Sequence, residues 1–252
     1  VRRERLTLPA AKKLRIAVVS DLHVGPYNGV KFVQKLVAKV NALEPDLVVL
    51  PGDFIEGDTS NLTDLAPLQF LRSPLGTYAV LGNHDTGHYI TLSGERYIHN
   101  DRTDEVCKAL SDYGVRMLRN ERVLEDYNGR KIAIAGADHV WMKSTDLKKA
   151  LKDIPPAALT ILLAHIPDII LDEDSRMADI IISGHTHGGQ LRLPFIGPIS
   201  PIPDELGRKY TWGLRQLENG TWVDISCGIG VSGVRSRLFC PPEIVVLEVG
   251  GE

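Results

Sequence analysis

Short, nearly continuous apolar runs recur along the chain and are separated by amphipathic or polar stretches. Residues 14–19, 46–50, 76–81, 159–164 and 179–183 carry such runs, which read as strands buried on both faces. Val30, Val33, Leu36, Val37 and Val40 fall on an i, i+3, i+4 stripe, so 29–42 is predicted to be an amphipathic helix, and Pro45 ends that segment. Further helices are predicted over 63–71, 102–113, 145–152 and 167–175. This strand–helix–strand order predicts parallel strands with right-handed crossovers. Asn128-Gly129, between 121–126 and 130–135, is a hairpin signal, Asn219-Gly220 is a second, and 243–249 reads as a closing strand. Residues 86–103, rich in Gly, Tyr, His and Arg, read as a long irregular surface loop. The pattern is parallel early and antiparallel late, which suggests two packed sheets with helices outside. No repeat, low-complexity segment or linker interrupts residues 1–252, so a single domain is expected.

Composition narrows the class. With 43% hydrophobic and 24% charged residues the chain is an ordinary globular one. A net charge of -3 gives no bulk attraction to nucleic acid, and none is expected as a partner. No run of 18 or more apolar residues is present. The chain begins Val-Arg-Arg-Glu-Arg, without Met and without the apolar core of a signal peptide; the reading leaves room for an upstream segment removed or omitted. Cys107, Cys227 and Cys240 lack metal-type spacing; they are read as reduced, with a Cys227–Cys240 bridge as the alternative.

The chemistry lies where the apolar runs end. Asp21 and His23 follow the first, Asp53 the second, Asn83, His84 and Asp85 the third, His165 the fourth, and Gly184-His185-Thr186-His187-Gly188-Gly189 the fifth. Any one of these is an ordinary turn residue. Together they place ligand-type residues outside the carboxyl ends of strands, where open α/β sheets bind ligands. Asp21, His23, Asp53, Asn83, His165, His185 and His187 form a mixed nitrogen and oxygen set without thiolate, suited to manganese, iron, zinc, cobalt or nickel rather than magnesium or calcium. They exceed what one tetrahedral site takes, but suit two divalent ions bridged by a carboxylate. Asp53 is the better bridge, because Gly52 permits close approach. Two ions roughly 3.5–4 Å apart generate hydroxide and clamp both oxygens of an in-line displacement. Residual positive charge suits a phosphate anion. His84 is placed to protonate a leaving group or stabilise transition-state charge.

Asp21-x-His23, Gly52-Asp53, Gly82-Asn83-His84-Asp85, Ala164-His165 and Gly184-His185-Thr186-His187 together resemble the signature of the calcineurin-like metallophosphoesterase superfamily, in order, over residues 14–190. The resemblance implies an α/β fold, a four-layer α/β/β/α sandwich of two mixed β-sheets flanked by helices. It implies a dinuclear centre with Asp21, His23 and His187 on one metal, Asn83, His165 and His185 on the other, Asp53 bridging, and His84 as the acid or transition-state residue. Manganese is the first choice of metal. Gly188-Gly189-Gln190 and the segment Arg237 to Ile244 resemble a bacterial branch of small phosphodiesterases, often exported or membrane-anchored, some of which cleave the pyrophosphate of UDP-diacylglucosamine. That implies a membrane-associated or exported location and a small-molecule phosphoester or lipid-linked substrate, by fold-level analogy.

Three segments are candidates for choosing the substrate. Residues 191–203, apolar and Pro-rich, read either as a wall for a lipid or nucleoside, with Phe195 at its centre and peripheral membrane contact as a variant, or as a loop packed on the second sheet. Loop 86–100 carries Arg96, a phosphate-binding candidate, or is a solvated loop. Arg235 and Arg237 read as surface charge, with a phosphate clamp as the alternative. The rival functions are a broad phosphomonoesterase, a nuclease of the same superfamily, and a catalytically silent binding or scaffold protein on this fold.

Overall fold

The computed structural model describes residues 1–8, 13–91, 94–97, 99–199 and 206–250, and gives the backbone only for 90, 91 and 94–96. The strands in chain order are β1 (Arg2–Thr7), β2 (Leu14–Val18), β3 (Leu47–Pro51), β4 (Thr77–Val80), β5 (His88–Thr91), β6 (Gly94–Tyr97), β7 (Arg116–Met117), β8 (Glu121–Tyr127), β9 (Arg130–Gly136), β10 (Leu159–Leu163), β11 (Ile180–Ser183), β12 (Arg192–Leu193), β13 (Gly197–Pro198), β14 (Gly213–Gln216), β15 (Trp222–Ile225) and β16 (Val245–Gly250). The α-helices are α1 (Val30–Asn41), α2 (Asn83–Thr86), α3 (Thr103–Asp112) and α4 (Leu147–Ala150).

Two six-stranded mixed sheets carry the site. The first runs β1-β16-β2-β3-β4-β7 and the second β14-β15-β11-β10-β9-β8. Their facing sides share one apolar core, in which Ile16, Val18, Leu47 and Val49 meet Ile134, Ile161, Leu163 and Ile182. On the outer side of the first sheet, Val33, Leu36, Val37 and Val40 of α1 pack with Leu65, Leu68, Val106 and Leu110. On the outer side of the second, Leu147, Leu151 and Ile169 cover Leu162, Ile181 and Val223. Each central strand is therefore buried on both faces, which is why its sequence is a continuous apolar run rather than an alternating one. The result is the expected layering of helix, sheet, sheet and helix. Val30 of the predicted stripe is exposed at the start of α1, while the other four positions are buried.

Several local expectations are corrected. The predicted helix over 63–71 is a run of 3-10 turns, Leu62–Phe70, with Pro67 inside it; proline removes a donor and disfavours the α conformation before it. The predicted helix 167–175 is likewise two 3-10 stretches, Pro167–Leu171 and Glu173–Met177, and the helix predicted over 145–152 shrinks to α4. The loop predicted over 86–103 contains an antiparallel hairpin, β5–β6. The late part of the chain is not simply antiparallel: β15 pairs in parallel with β11, whereas β14 pairs antiparallel with β15 and β16 antiparallel with β2. The N-terminal segment, read only as a basic stretch, forms β1, paired in parallel with β16. Residues 200–203 of the apolar segment and the side chain of Arg96 lie outside the described residues.

Candidate metal centre

β2, β3, β10 and β11 all end at the same edge of the sandwich, and their exits hold the polar residues. The backbone there is unusual. Asp21 (φ 56°), His23 (45°), Asp53 (57°), His185 (70°) and His187 (50°) all adopt the left-handed region. That conformation costs an L residue roughly 1–2 kcal/mol, least for Asp, Asn and His. Five such residues around one point mark strain concentrated where side chains must be aimed. Cross-links between exits hold it: Asp21 N–H donates to Gly52 O (3.0 Å), His23 N–H to Asp53 O (3.1 Å) and His185 N–H to Asp21 Oδ1 (2.9 Å). Asp85, buried at the start of α2, accepts from the N–H groups of Gly82 (2.8 Å), Asp53 (3.1 Å), Phe54 (2.9 Å) and Ile55 (3.3 Å).

The side chains expected as ligands converge as two sets, and His23 also lies in a third group with Glu56 and His84. In one set, Asp21, His23, Asp53 and His187 offer ligand atoms within 4.8 Å of one another; in the other, Asp53, His165 and His185 do. Asn83 joins the second, its Oδ1 lying 2.8 Å from His185 Nδ1 and 3.2 Å from His165 Nε2. A single oxygen, Asp53 Oδ2, faces both: it is 3.5 Å from His23 Nε2 and 3.2 Å from His165 Nε2. All seven residues read from the sequence as ligands are thus brought together.

The donor atoms fit cations. His23 Nε2 and His187 Nε2 face each other at 3.0 Å, although each is a natural lone-pair donor. Asp21 Oδ2 is buried with no hydrogen-bond partner among the described residues. Burial pushes the Asp21 carboxyl up. Asp53 is held well below the usual carboxylate range in spite of burial, by His165 and His84. Burial lowers His165, but Asp53 overrides it and the imidazole is pushed up to about 9. A divalent ion would pair with the buried carboxylates and take the imidazole lone pairs at once. Glycine keeps the space open: a Cβ on Gly184 would lie 2.5 Å from Asp21 Oδ2, and one on Gly52 2.6 Å from His165 Nδ1. Gly184→Ala is therefore expected to weaken binding of one metal by roughly ten- to a hundredfold, the range seen when a ligand's support is disturbed. Calorimetric titration with Mn²⁺ reads this, and an unchanged isotherm would remove the steric argument.

Residues around the rim complete the picture. His84 stands edge-on to His23, with ring centroids 4.5 Å apart; its Nδ1–H donates to Glu56 O (3.0 Å) and its Nε2 faces Ser232 Oγ (3.1 Å). Burial takes His84 down to about 4. Gln190 clasps the Ser232 segment, donating to Ser232 O (3.0 Å) and Val234 O (2.7 Å). Arg237 is not the surface charge expected: it is half-buried and donates to the carbonyls of Cys227 (2.8 Å) and Gly230 (2.6 Å), pinning the loop behind His187. Arg235 is exposed and stacks 3.2 Å over the ring of Tyr27. Phe195 is fully exposed at the turn between β12 and β13. Cys227 and Cys240 are both buried free thiols. Glu56 and Ser232 were not singled out from the sequence, and Asp85 was named there without a role. The role of Asp85 could have been found, since it lies in the same block as Asn83 and His84.

Comparison with known proteins agrees with this geometry. Residues 14–189 match the model of the family described as calcineurin-like phosphoesterase. The chain is 34% identical to an uncharacterised metallophosphoesterase of Aquifex aeolicus (strain VF5), over 97% of this chain and 88% of that one. It is 32% identical to the uncharacterised metallophosphoesterase YkuE of Bacillus subtilis (strain 168), over 92% and 77%. It is also 35% identical to a Bos taurus transmembrane protein with metallophosphoesterase domain, covering 95% of this chain but 53% of the relative. Among solved structures, phosphopantetheinyl hydrolase (PptH) from Mycobacterium tuberculosis is similar at 14% identity and a TM-score of 0.46, over 87% of this chain and 90% of that one. The chain belongs to the calcineurin-like phosphoesterase family and is a hydrolase of phosphoesters.

Proposed function

We propose that this protein hydrolyses phosphodiester or pyrophosphate bonds at a dinuclear divalent-metal site, Asp21, His23 and His187 holding one ion, Asn83, His165 and His185 the other, and Asp53 bridging. The observation that carries this reading is the single Asp53 oxygen facing both ligand sets. When bound, two such ions, manganese by preference, supply Lewis-acid charge and acidify water. The protein's part is orientation. Asp53, Asp21 and four imidazoles fix where a phosphoryl group sits, and two carboxylates leave that place net positive once divalent cations are counted. His84 presents Nε2 beside Ser232 at the rim, a position that suits donation to a leaving group. Burial alone keeps this ring neutral, but an anionic phosphate against it favours the charged form, which can donate to the leaving oxygen.

The finer substrate reading rests on the surface next to the histidine loop. Leu193, Phe195, Ile196 and Ile199 are exposed, as are Val234, Leu238 and Phe239. The two segments run side by side, since Arg192 N–H donates to Leu238 O (2.9 Å) and Leu238 N–H to Gln190 O (3.0 Å). This apolar surface suits the acyl part of a lipid-linked substrate and contact with a membrane surface. None of the described helices is long and apolar enough to cross a membrane. The test is metal analysis followed by Mn²⁺ reconstitution with a monoester, a diester, a nucleotide sugar and UDP-diacylglucosamine. Metal-dependent turnover fastest on a diester or pyrophosphate supports the reading. A preference for the monoester replaces it, and no turnover at all favours a binding protein. Phe195→Ser with Ile196→Ser is expected to lower turnover of the lipid-linked substrate by at least about tenfold, the worth of one buried aromatic side chain, and to spare the soluble ones. An equal loss on both removes the lipid contact.

A further inference from the structure

Glu56 touches more of the site's working parts than its sequence position suggests. It lies in the loop after Asp53, and its N–H groups and neighbours are anchored locally: Glu56 N–H donates to Val24 O (3.0 Å) and to Ser60 Oγ (3.1 Å). The side chain is only partly covered, yet its Oε2 lies 2.8 Å from His23 Nδ1. Its Oε1 accepts from the N–H of Gly233 (3.3 Å), next to Ser232. Its backbone oxygen accepts from His84 Nδ1 (3.0 Å). His23 Nδ1 and Glu56 Oε2 meet at ion-pair distance, and neither has an aligned hydrogen-bond partner among the described residues.

A carboxylate oxygen and an unprotonated ring nitrogen are both acceptors and repel at so short a distance. Nδ1 of His23, 2.8 Å from Glu56 Oε2, therefore carries a proton, which leaves Nε2 as the ring nitrogen able to give a lone pair to a cation at the place shared by His187 Nε2 and Asp53 Oδ2. That is the tautomer a metal ligand needs, with the remote nitrogen donating to a carboxylate. The same residue makes the same demand on His84 through its main chain, leaving Nε2 of that ring toward Ser232. One residue thereby sets the proton position on two imidazoles of different duty and ties them to the 232–234 segment.

We infer that Glu56 is a positioning residue that fixes the tautomer and aim of His23 through its carboxylate and those of His84 through its carbonyl. The inference rests on the metal assignment proposed above. Neither the ligand positions nor the histidine loop includes it, and it reaches the metals only through His23.

The test is calorimetric titration of the wild type, Glu56→Ala and Glu56→Gln with Mn²⁺, alongside ¹⁵N chemical shifts of the imidazoles in the metal-free proteins. The wild type is expected to take up two ions. In Glu56→Ala, one of them is expected to weaken by roughly ten- to a hundredfold while the other keeps its affinity. Glu56→Gln, which retains the packing and an acceptor oxygen, shows the same one-sided loss to a smaller degree, and it answers the question if the alanine variant folds poorly. The shifts should report loss of the Nδ1–H form for His23 alone, because the carbonyl that holds His84 survives both substitutions. Equal weakening of both ions, or of neither, overturns the role of Glu56 while leaving the two-metal reading in place. A wild-type protein that binds no metal overturns that reading, and the role of Glu56 with it.

Discussion

Asp53→Asn is expected to cut metal-dependent turnover by at least about a thousandfold, equivalent to roughly 4 kcal/mol or more of transition-state stabilisation. The substitution conserves shape. It keeps an oxygen able to accept the His84 N–H, which Asp53 Oδ1 now takes at 2.9 Å. It removes the charge on the one atom facing both ligand sets, and a neutral amide cannot bridge two cations as a carboxylate does. Metal content should fall from two ions per chain to one or fewer. The histidines respond as well. His165 is raised to about 9 chiefly because Asp53 overrides its burial, so without that charge the ring loses its proton more readily. Full turnover at saturating Mn²⁺ would sink the bridging role, and would leave the two sets as independent sites.

How much of this was legible follows from where each residue sits. The converging polar positions were readable because each follows an apolar run that only a doubly covered strand produces, and because strand exits on one edge of two sheets must converge. Asp21, Asp53, His165 and the His185–His187 pair are such exits. Glu56 and Ser232 were not readable: both lie on loops with no periodicity, and their importance is created by contacts across 28 and 148 residues of chain. Arg237 reads as an ordinary surface cation, and only the fold shows that carbonyls of the loop from Cys227 to Gly230 turn inward to meet it. The first 3-10 segment misled because its apolar spacing is close to helical while Pro67 inside it removes a donor and disfavours the α conformation before it. The hairpin β5–β6 carries neither an alternating apolar pattern nor a two-residue glycine turn, so nothing local distinguished it from loop.

β1 was missed for a related reason, and it carries the largest stability effect expected. Its first four residues are all charged and only Leu6 is buried, as suits an edge strand, and the charges hide the strand. Arg2 is the exception among them, with a side chain only 12% exposed. Its Nη1 lies 2.8 Å from Asp224 Oδ1 in β15, and its Nε 3.2 Å from Glu243 Oε2 just before β16, so one guanidinium joins the ends of the two sheets. Glu243 in turn accepts from Trp212 Nε1 (3.0 Å) and the Cys227 N–H (3.1 Å). Removing one partner from a buried pair strands the other charge and costs about 3–5 kcal/mol, far more than the net worth of the pair. Arg2→Ala is expected to lose that much in urea unfolding. Arg5→Ala, whose partner Glu248 it meets with a side chain 88% exposed, should change nothing measurable. The loss depends on pH in a direction that identifies its cause. Burial raises the Asp224 carboxyl to about 6 even beside Arg2, and without the cation it rises further. Such a group takes up a proton more readily folded than unfolded. Lowering the pH toward the ordinary carboxylate range therefore relieves the stranded charge, and raising it above the folded pKa exposes the full cost. The deficit of Arg2→Ala should be larger at pH 8 than at pH 5. A deficit under about 1 kcal/mol, or one that grows on acidification, would mean that the packing of β1 against β16, and not the ion cluster, holds the N-terminal strand.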